Sequence, residues 1–157
     1  MKIQERKITS ECFWEDGLYI AKILQEDANN IDPTSTNLEK FKYGLTAKFD
    51  EELVLRDINV DYLQGSRKNL CSPVKETLQQ LVGVKVGKSF GWKIMQLSGE
   101  NFCMHFELLL PQLAALVYRA RLFRTGHEVG REELVNLFSN AFKGKCVGWT
   151  NRDDSLE

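Results

Sequence analysis

Phe41-Lys42-Tyr43-Gly44-Leu45-Thr46-Ala47-Lys48-Phe49 decides the fold class. Phe41, Tyr43, Leu45, Ala47 and Phe49 fall at every second position, with Lys, Gly and Thr between them. That is the period of a strand with one face on a core and the other in water. Asp50-Glu51-Glu52 then turns the chain into residues 53–62, where Val54, Ile58, Val60 and Tyr62 share a face, so the two segments predict a hairpin. An earlier hairpin is predicted from 7–14 and 18–24 around Glu15-Asp16-Gly17, because Asp-Gly tolerates the positive φ of a two-residue turn. Cys12, inside the first of these strands, reads as core. Residues 27–37 are polar, contain Pro33 and read as an exposed loop.

Farther along, the period becomes helical. Ser72 is a good N-cap with Pro73 in the first helical position, and Val74, Leu78, Leu81 and Val82 recur on one face until Gly83 ends the helix. From 102 to 122, Phe106, Leu109, Leu110, Leu113, Leu116, Val117 and Ala120 form a broad apolar stripe, wide enough for the central helix of a domain. Pro111 within it removes the N–H that the Glu107 carbonyl would use, which predicts a kink or short break. A last helix over Arg131–Phe142 carries Leu134, Leu137, Phe138, Ala141 and Phe142 and stops at Gly144. Strands followed by helices predict an α+β fold: an antiparallel β-sheet of two hairpins with helices packed on one face. At 157 residues the chain is expected to be a single domain, 1–157, with one core.

Charge narrows the partners. Lys+Arg 21 against Asp+Glu 22 leaves a net charge of −1, so no global field draws in a polyanion. Neither nucleic acid nor membrane is expected, while a homodimer or a protein partner stays open. Residues 1–7 form no apolar signal segment, and His105, Glu107, Pro111 and Gln112 interrupt the later apolar run, so a cytoplasmic location is expected. In that compartment the four cysteines read as thiols or ligands, not bridges.

Cys103-Met104-His105 puts two soft ligands at a helix N-terminus, where the helix dipole lowers the pKa of a thiol and makes it a better ligand or nucleophile. Cys71 stands just ahead of the Ser72-Pro73 helix start. Glu107, four residues after Cys103, is expected on its side of the helix, and Cys146 is a further candidate. Beside a plain interaction module with a conventional core, two readings follow. In the first, Cys71, Cys103 and His105 are metal ligands, with Glu107 or Cys146 completing the shell. In the second, Cys103 or His105 does acid–base or nucleophilic work on an organic substrate, with Trp14, Tyr19 and Trp92 lining a pocket. Gly83-Val84-Lys85-Val86-Gly87-Lys88-Ser89 is one residue short of a phosphate loop and follows a helix, not a strand, so nucleotide binding is not expected. The Arg67-Lys68 pair and Arg119, Arg121 and Arg124 read as solvated positions, and His127 as a loop residue.

Trp14-Glu15-Asp16-Gly17-Leu18-Tyr19, Leu55-Arg56-Asp57, Leu70-Cys71-Ser72-Pro73, residues 81–87 and Cys103-Met104-His105-Phe106-Glu107, in that order, resemble a bacterial domain-of-unknown-function family, number twenty-eight eighty-nine. Where that family has Gly-Cys-Thr-His-Leu, this chain has Phe102, Met104 and Phe106 around the same two side chains. The order of elements is also similar to the U-type iron–sulfur cluster scaffold proteins. That likeness implies an iron–sulfur scaffold-like fold, with Cys71 at the middle ligand cysteine and Cys103/His105 where the scaffold has adjacent His and Cys. Glu39 falls near the place of the first scaffold cysteine. Two thiols, one imidazole and a carboxylate suit zinc or a mononuclear iron at least as well as a cluster.

Overall fold

The computed structural model describes residues 3–30, 38–65, 73–98 and 102–142. Four strands, β1 (Gln4–Glu15), β2 (Leu18–Asn29), β3 (Glu39–Phe49) and β4 (Leu55–Gln64), form one antiparallel sheet in the order β1-β2-β3-β4. The first turn is as expected: Asp16 and Gly17 take φ of 51° and 76°, and the strands close on the Glu15–Leu18 pair. With the helices described below, the fold class is α+β.

One face of the sheet is buried through Tyr19, Ala21 and Ile23 of β2 and Tyr43, Leu45, Ala47 and Phe49 of β3. The alternation seen in 41–49 is therefore the core pattern. β4 departs from its expected face. Val54 forms only an isolated bridge to Lys85, and Leu55 is fully buried together with Ile58. An extra residue in the ladder at Arg56, opposite Lys48/Phe49, switches the side-chain parity between Leu55 and Ile58. Cys12 is half-buried and not core, since its edge strand is exposed elsewhere along its length.

β2 is longer than expected. Residues 27–29, read as loop, pair with β1 at Gln4–Arg6 and with β3 at Glu39–Phe41; residues 31–37 lie outside the described residues. Polar composition suggested a loop, but pairing on both sides satisfies the backbone of this segment, and its buried carboxylate has partners of its own.

Four helices follow: α1 (Val74–Gln79), α2 (Lys88–Leu97), α3 (Met104–Val129) and α4 (Arg131–Phe142). α1 ends before Val82, because Gly83 leaves the helix at φ 87° and donates to the Leu55 carbonyl at 2.7 Å. Gln79 Nε2 donates to the Ile58 carbonyl at 2.6 Å, which ties α1 to β4. α2 was not anticipated; it contributes buried Phe90 and Ile94. α3 buries Phe106, Leu109, Leu110, Leu113 and Val117 and continues through Pro111 without the expected break. Around Pro111, Gln112 Nε2 donates to the Leu108 carbonyl at 3.2 Å. His127, read as loop, lies in the last turn of α3. Among the described residues no helix is long and apolar enough to cross a membrane.

The chain divides into two compact units between Tyr118 and Arg119. The first holds the sheet, α1, α2 and the start of α3. In the second, Phe123 and Phe138 pack with ring centroids 5.0 Å apart, and Leu134 lies so close to Gly126 that a Cβ there would require the leucine side chain to move.

Candidate functional site

Cys103 immediately precedes α3, and its carbonyl accepts from the N–H groups of Phe106 and Glu107 at 2.9 and 3.1 Å. Its side chain therefore stands at the positive end of the helix. His105, in the first turn, brings Nδ1 to 3.4 Å from Cys103 Sγ. The imidazole lies flat on Tyr43 of β3, with ring centroids 3.8 Å apart and planes at 12°, and Phe106 meets the same tyrosine edge-on at 6.2 Å. Helix start and sheet face together fix the ring.

The other ring nitrogen, Nε2, faces Asp27 Oδ2 at 3.9 Å. Asp27 is on β2 with its carboxylate almost fully buried, and two strands satisfy it. Arg6 of β1, its register partner, donates from Nε to Oδ1 at 2.8 Å and from Nη2 to Oδ2 at 2.9 Å. Gln25 Nε2 donates to Oδ2 at 2.7 Å. The ionised carboxylate can only accept, so it fixes the Gln25 amide, whose Oε1 is left buried without a hydrogen-bond partner. Gln25, Asp27 and Tyr43 lie on the same face of the sheet as the core, with Arg6 beside them.

Burial by itself pushes the Asp27 carboxyl up, but the Arg6 and Gln25 hydrogen bonds, with the charges of Arg6 and His105, hold it below the usual carboxylate range. For His105, burial pushes the pKa down; nearby Asp27 opposes this and Arg6 adds to it, and the net shift is downward. Near neutral pH the set is thus an ionised Asp27 and a neutral His105. A neutral imidazole facing a carboxylate carries its N–H on Nε2, which leaves the Nδ1 lone pair toward the Cys103 thiol. The arrangement can remove a proton from sulfur and return it.

Cys103 and His105 are thus brought together. Glu107 is not with them: it is exposed and its Oε1 accepts from Ser98 Oγ at 2.9 Å. Glu39 begins β3 opposite Asn29, on the face that carries Asp27. Cys71 and Cys146 lie outside the described residues, as do Arg67 and Lys68. Among the described residues no group of three or more His, Cys, Asp or Glu side chains is placed to hold a metal ion. Trp14 and Tyr19 pack on each other at 4.5 Å, whereas Trp92 is 65% exposed. An apolar cavity of about 400 Å³ between α2 and α3 is lined by Phe90, Ile94, Pro111, Ala114 and Tyr118, and none of those three aromatics lines it.

Sequence reasoning missed Arg6, Gln25, Asp27 and Tyr43. The signal was present in β2, where the core-face positions Tyr19, Ala21 and Ile23 continue at the same period as Gln25, Asp27 and Asn29. Polar side chains that inherit a core phase mark a built polar site. In the comparisons with known proteins, no family model, no curated protein and no solved structure matches the chain.

Proposed function

We propose that the chain is a thiol-dependent enzyme acting on an organic substrate, in which Cys103 is the nucleophile, His105 its base and Asp27 the group that positions the imidazole. The contact between Cys103 Sγ and His105 Nδ1, with a buried carboxylate behind the ring, carries this reading. In the step it supports, the thiol proton passes to Nδ1 as sulfur bonds to an electrophilic carbon. The leaving group then departs with that proton. The 3.9 Å gap to Asp27 suits a site that tightens when substrate closes over it.

One observation also favours a metal-binding reading with zinc or iron. Sulfur and nitrogen ligands of one tetrahedral ion, at ~2.3 and ~2.1 Å, stand about 3.5 Å apart, close to the 3.4 Å found here. A carboxylate behind the second ring nitrogen is a common support for such a ligand. That reading requires further donors, with Cys71 the candidate supplied by sequence. Asp27 and Cys103 face opposite ring nitrogens, so they are not ligands of one ion through His105.

Iodoacetamide labelling of the full chain, mapped by peptide mass spectrometry and paired with elemental analysis, tests the proposal. Fast labelling of Cys103 that is unchanged by chelator, and lost in His105→Ala, is the expected result. Labelling that begins only after chelator strips a stoichiometric metal would overturn it in favour of the metal reading.

A further inference from the structure

β1 and β4 are the two edges of the sheet, and the fold treats them differently. The start of β4 is covered: Gly83 N–H donates to the Leu55 carbonyl at 2.7 Å, Leu55 N–H donates to the Val84 carbonyl at 3.0 Å, and Val54 bridges to Lys85. The β3–β4 ladder also carries two register shifts, which bend that edge. Among the described residues β1 lacks the bulge, the proline and the backbone cover that blunt an edge, and the charges it carries, Glu5, Arg6, Lys7, Glu11 and Glu15, are of both signs, so they repel a second strand only out of register. It pairs with β2 over its whole length of 12 residues without a register shift and contains no proline. Eleven of the 12 are exposed, among them Ile8, Phe13 and Trp14.

We propose that β1 pairs with β1 of a second copy of this chain, antiparallel about a twofold axis normal to the sheet, joining two four-stranded sheets into one. Such an axis keeps each face continuous, so every residue meets one from the same face. Charge sets the register. With Thr9 on the axis, Lys7 stands opposite Glu11 of the second copy, and the pair occurs twice. Sliding the copy by two residues sets Glu5 against Glu11 in one direction and Glu5 against Glu15 in the other.

This register continues a row that the single chain has already begun. Lys42 Nζ meets Glu26 Oε1 at 2.6 Å across β3 and β2, and Lys7 is the register partner of Glu26 on β1. Next come Glu11 and its register partner Lys22, both of the second copy. Charge then alternates in sign across five neighbouring strands. On the other face Arg6 stands opposite Cys12 of the copy, so the interface borders the Arg6–Asp27 pair.

Sedimentation equilibrium of the full chain at low ionic strength tests this with Lys7→Glu, Glu11→Lys and the double swap, all at exposed positions and each checked for fold by circular dichroism. The expected result is a dimer for the native chain and the double swap, with at least tenfold weaker association for each single variant. An equimolar mixture of the two single variants should recover the dimer. In that mixed pair position 7 of each chain again faces an opposite charge at position 11 of the other, once between the two substituted side chains and once between the two native ones. A native chain that stays monomeric at high concentration, or single variants that associate as tightly as it does, would overturn the proposal.

Discussion

Arg6 and Asp27, 21 residues apart, meet through two parallel hydrogen bonds of 2.8 and 2.9 Å, with the carboxylate side chain 1% exposed and the guanidinium side 39% exposed. The pair brings a charge into the covered face of the sheet and neutralises it from the edge strand. Arg6→Leu would leave Asp27 with only the Gln25 amide. A fully buried pair broken on one side costs ~3–5 kcal/mol, and water reaching the vacated Arg6 side reduces this to about 2 kcal/mol. Asp27→Asn, which keeps a hydrogen-bonding group in place, should cost about 1 kcal/mol. Urea unfolding midpoints check both values; an Arg6→Leu chain as stable as the native one would mean that the pair adds no net stability.

Acid should weaken the fold in two stages. His105 has a folded pKa below its ordinary 6.5, so its contribution is complete above that pH and is lost as pH falls from 6.5 through the folded value. Asp27 is likewise depressed, below 3.8, so its contribution is lost only as pH falls through the range below that. His105→Gln is expected to flatten the upper stage of a stability-against-pH curve. Asp27→Asn should reduce the lower stage without abolishing it, since Asp50, which accepts from Val54 N–H and Arg56, is also depressed.

The alternation in Phe41–Phe49, the Asp16-Gly17 turn and the extent of α4 were legible because each rests on local periodicity or backbone freedom. α2 was not: Phe90 and Ile94 have the i, i+4 spacing of a helix, but Gly87 and Gly91 on either side of Phe90 argue against one in so short a segment. Two of the six side chains of the candidate site were legible. Cys103 and His105 are neighbours in sequence, and their place at a helix start follows from local pattern. Arg6, Gln25, Asp27 and Tyr43 converge only through strand register, a non-local property, and the polarity of Asp27 argued for a loop as long as its partner on β1 was unknown.

Gly17→Ala should destabilise the first hairpin although nothing lies within 4 Å of the added Cβ. Its φ of 76° is a conformation that L side chains adopt at a cost, so the loss is purely backbone, about 1 kcal/mol. Gly91→Ala is the control: it has the same free space without a left-handed backbone, in the interior of an exposed stretch of α2, and should be neutral or slightly stabilising. Thermal unfolding of the two variants side by side separates strain from packing, and equal melting temperatures would remove the strain argument.

The reactivity of Cys103 should follow the ionisation of His105. With Nδ1 at 3.4 Å as acceptor, the rate of Cys103 alkylation is expected to rise with a midpoint below the ordinary imidazole value, because His105 titrates low. Cys12 is an internal reference: burial pushes its thiol up to about 11, so it should label slowly throughout. His105→Gln keeps the size of the ring but removes the base, and should slow Cys103 by about a hundredfold, within the range of a single proton-transfer group. Asp27→Asn leaves Cys103 and His105 in place, and its amide oxygen can still accept from Arg6 and Gln25, but the negative charge that favours the N–H on Nε2 is gone, so Nδ1 is a weaker acceptor and a loss of about tenfold with an altered pH profile is expected. A merely structural Asp27 would lower stability and leave that profile unmoved. Stopped alkylation with peptide mapping over a pH series distinguishes the two, and identical profiles for the native chain and Asp27→Asn would remove Asp27 from the proposed chemistry.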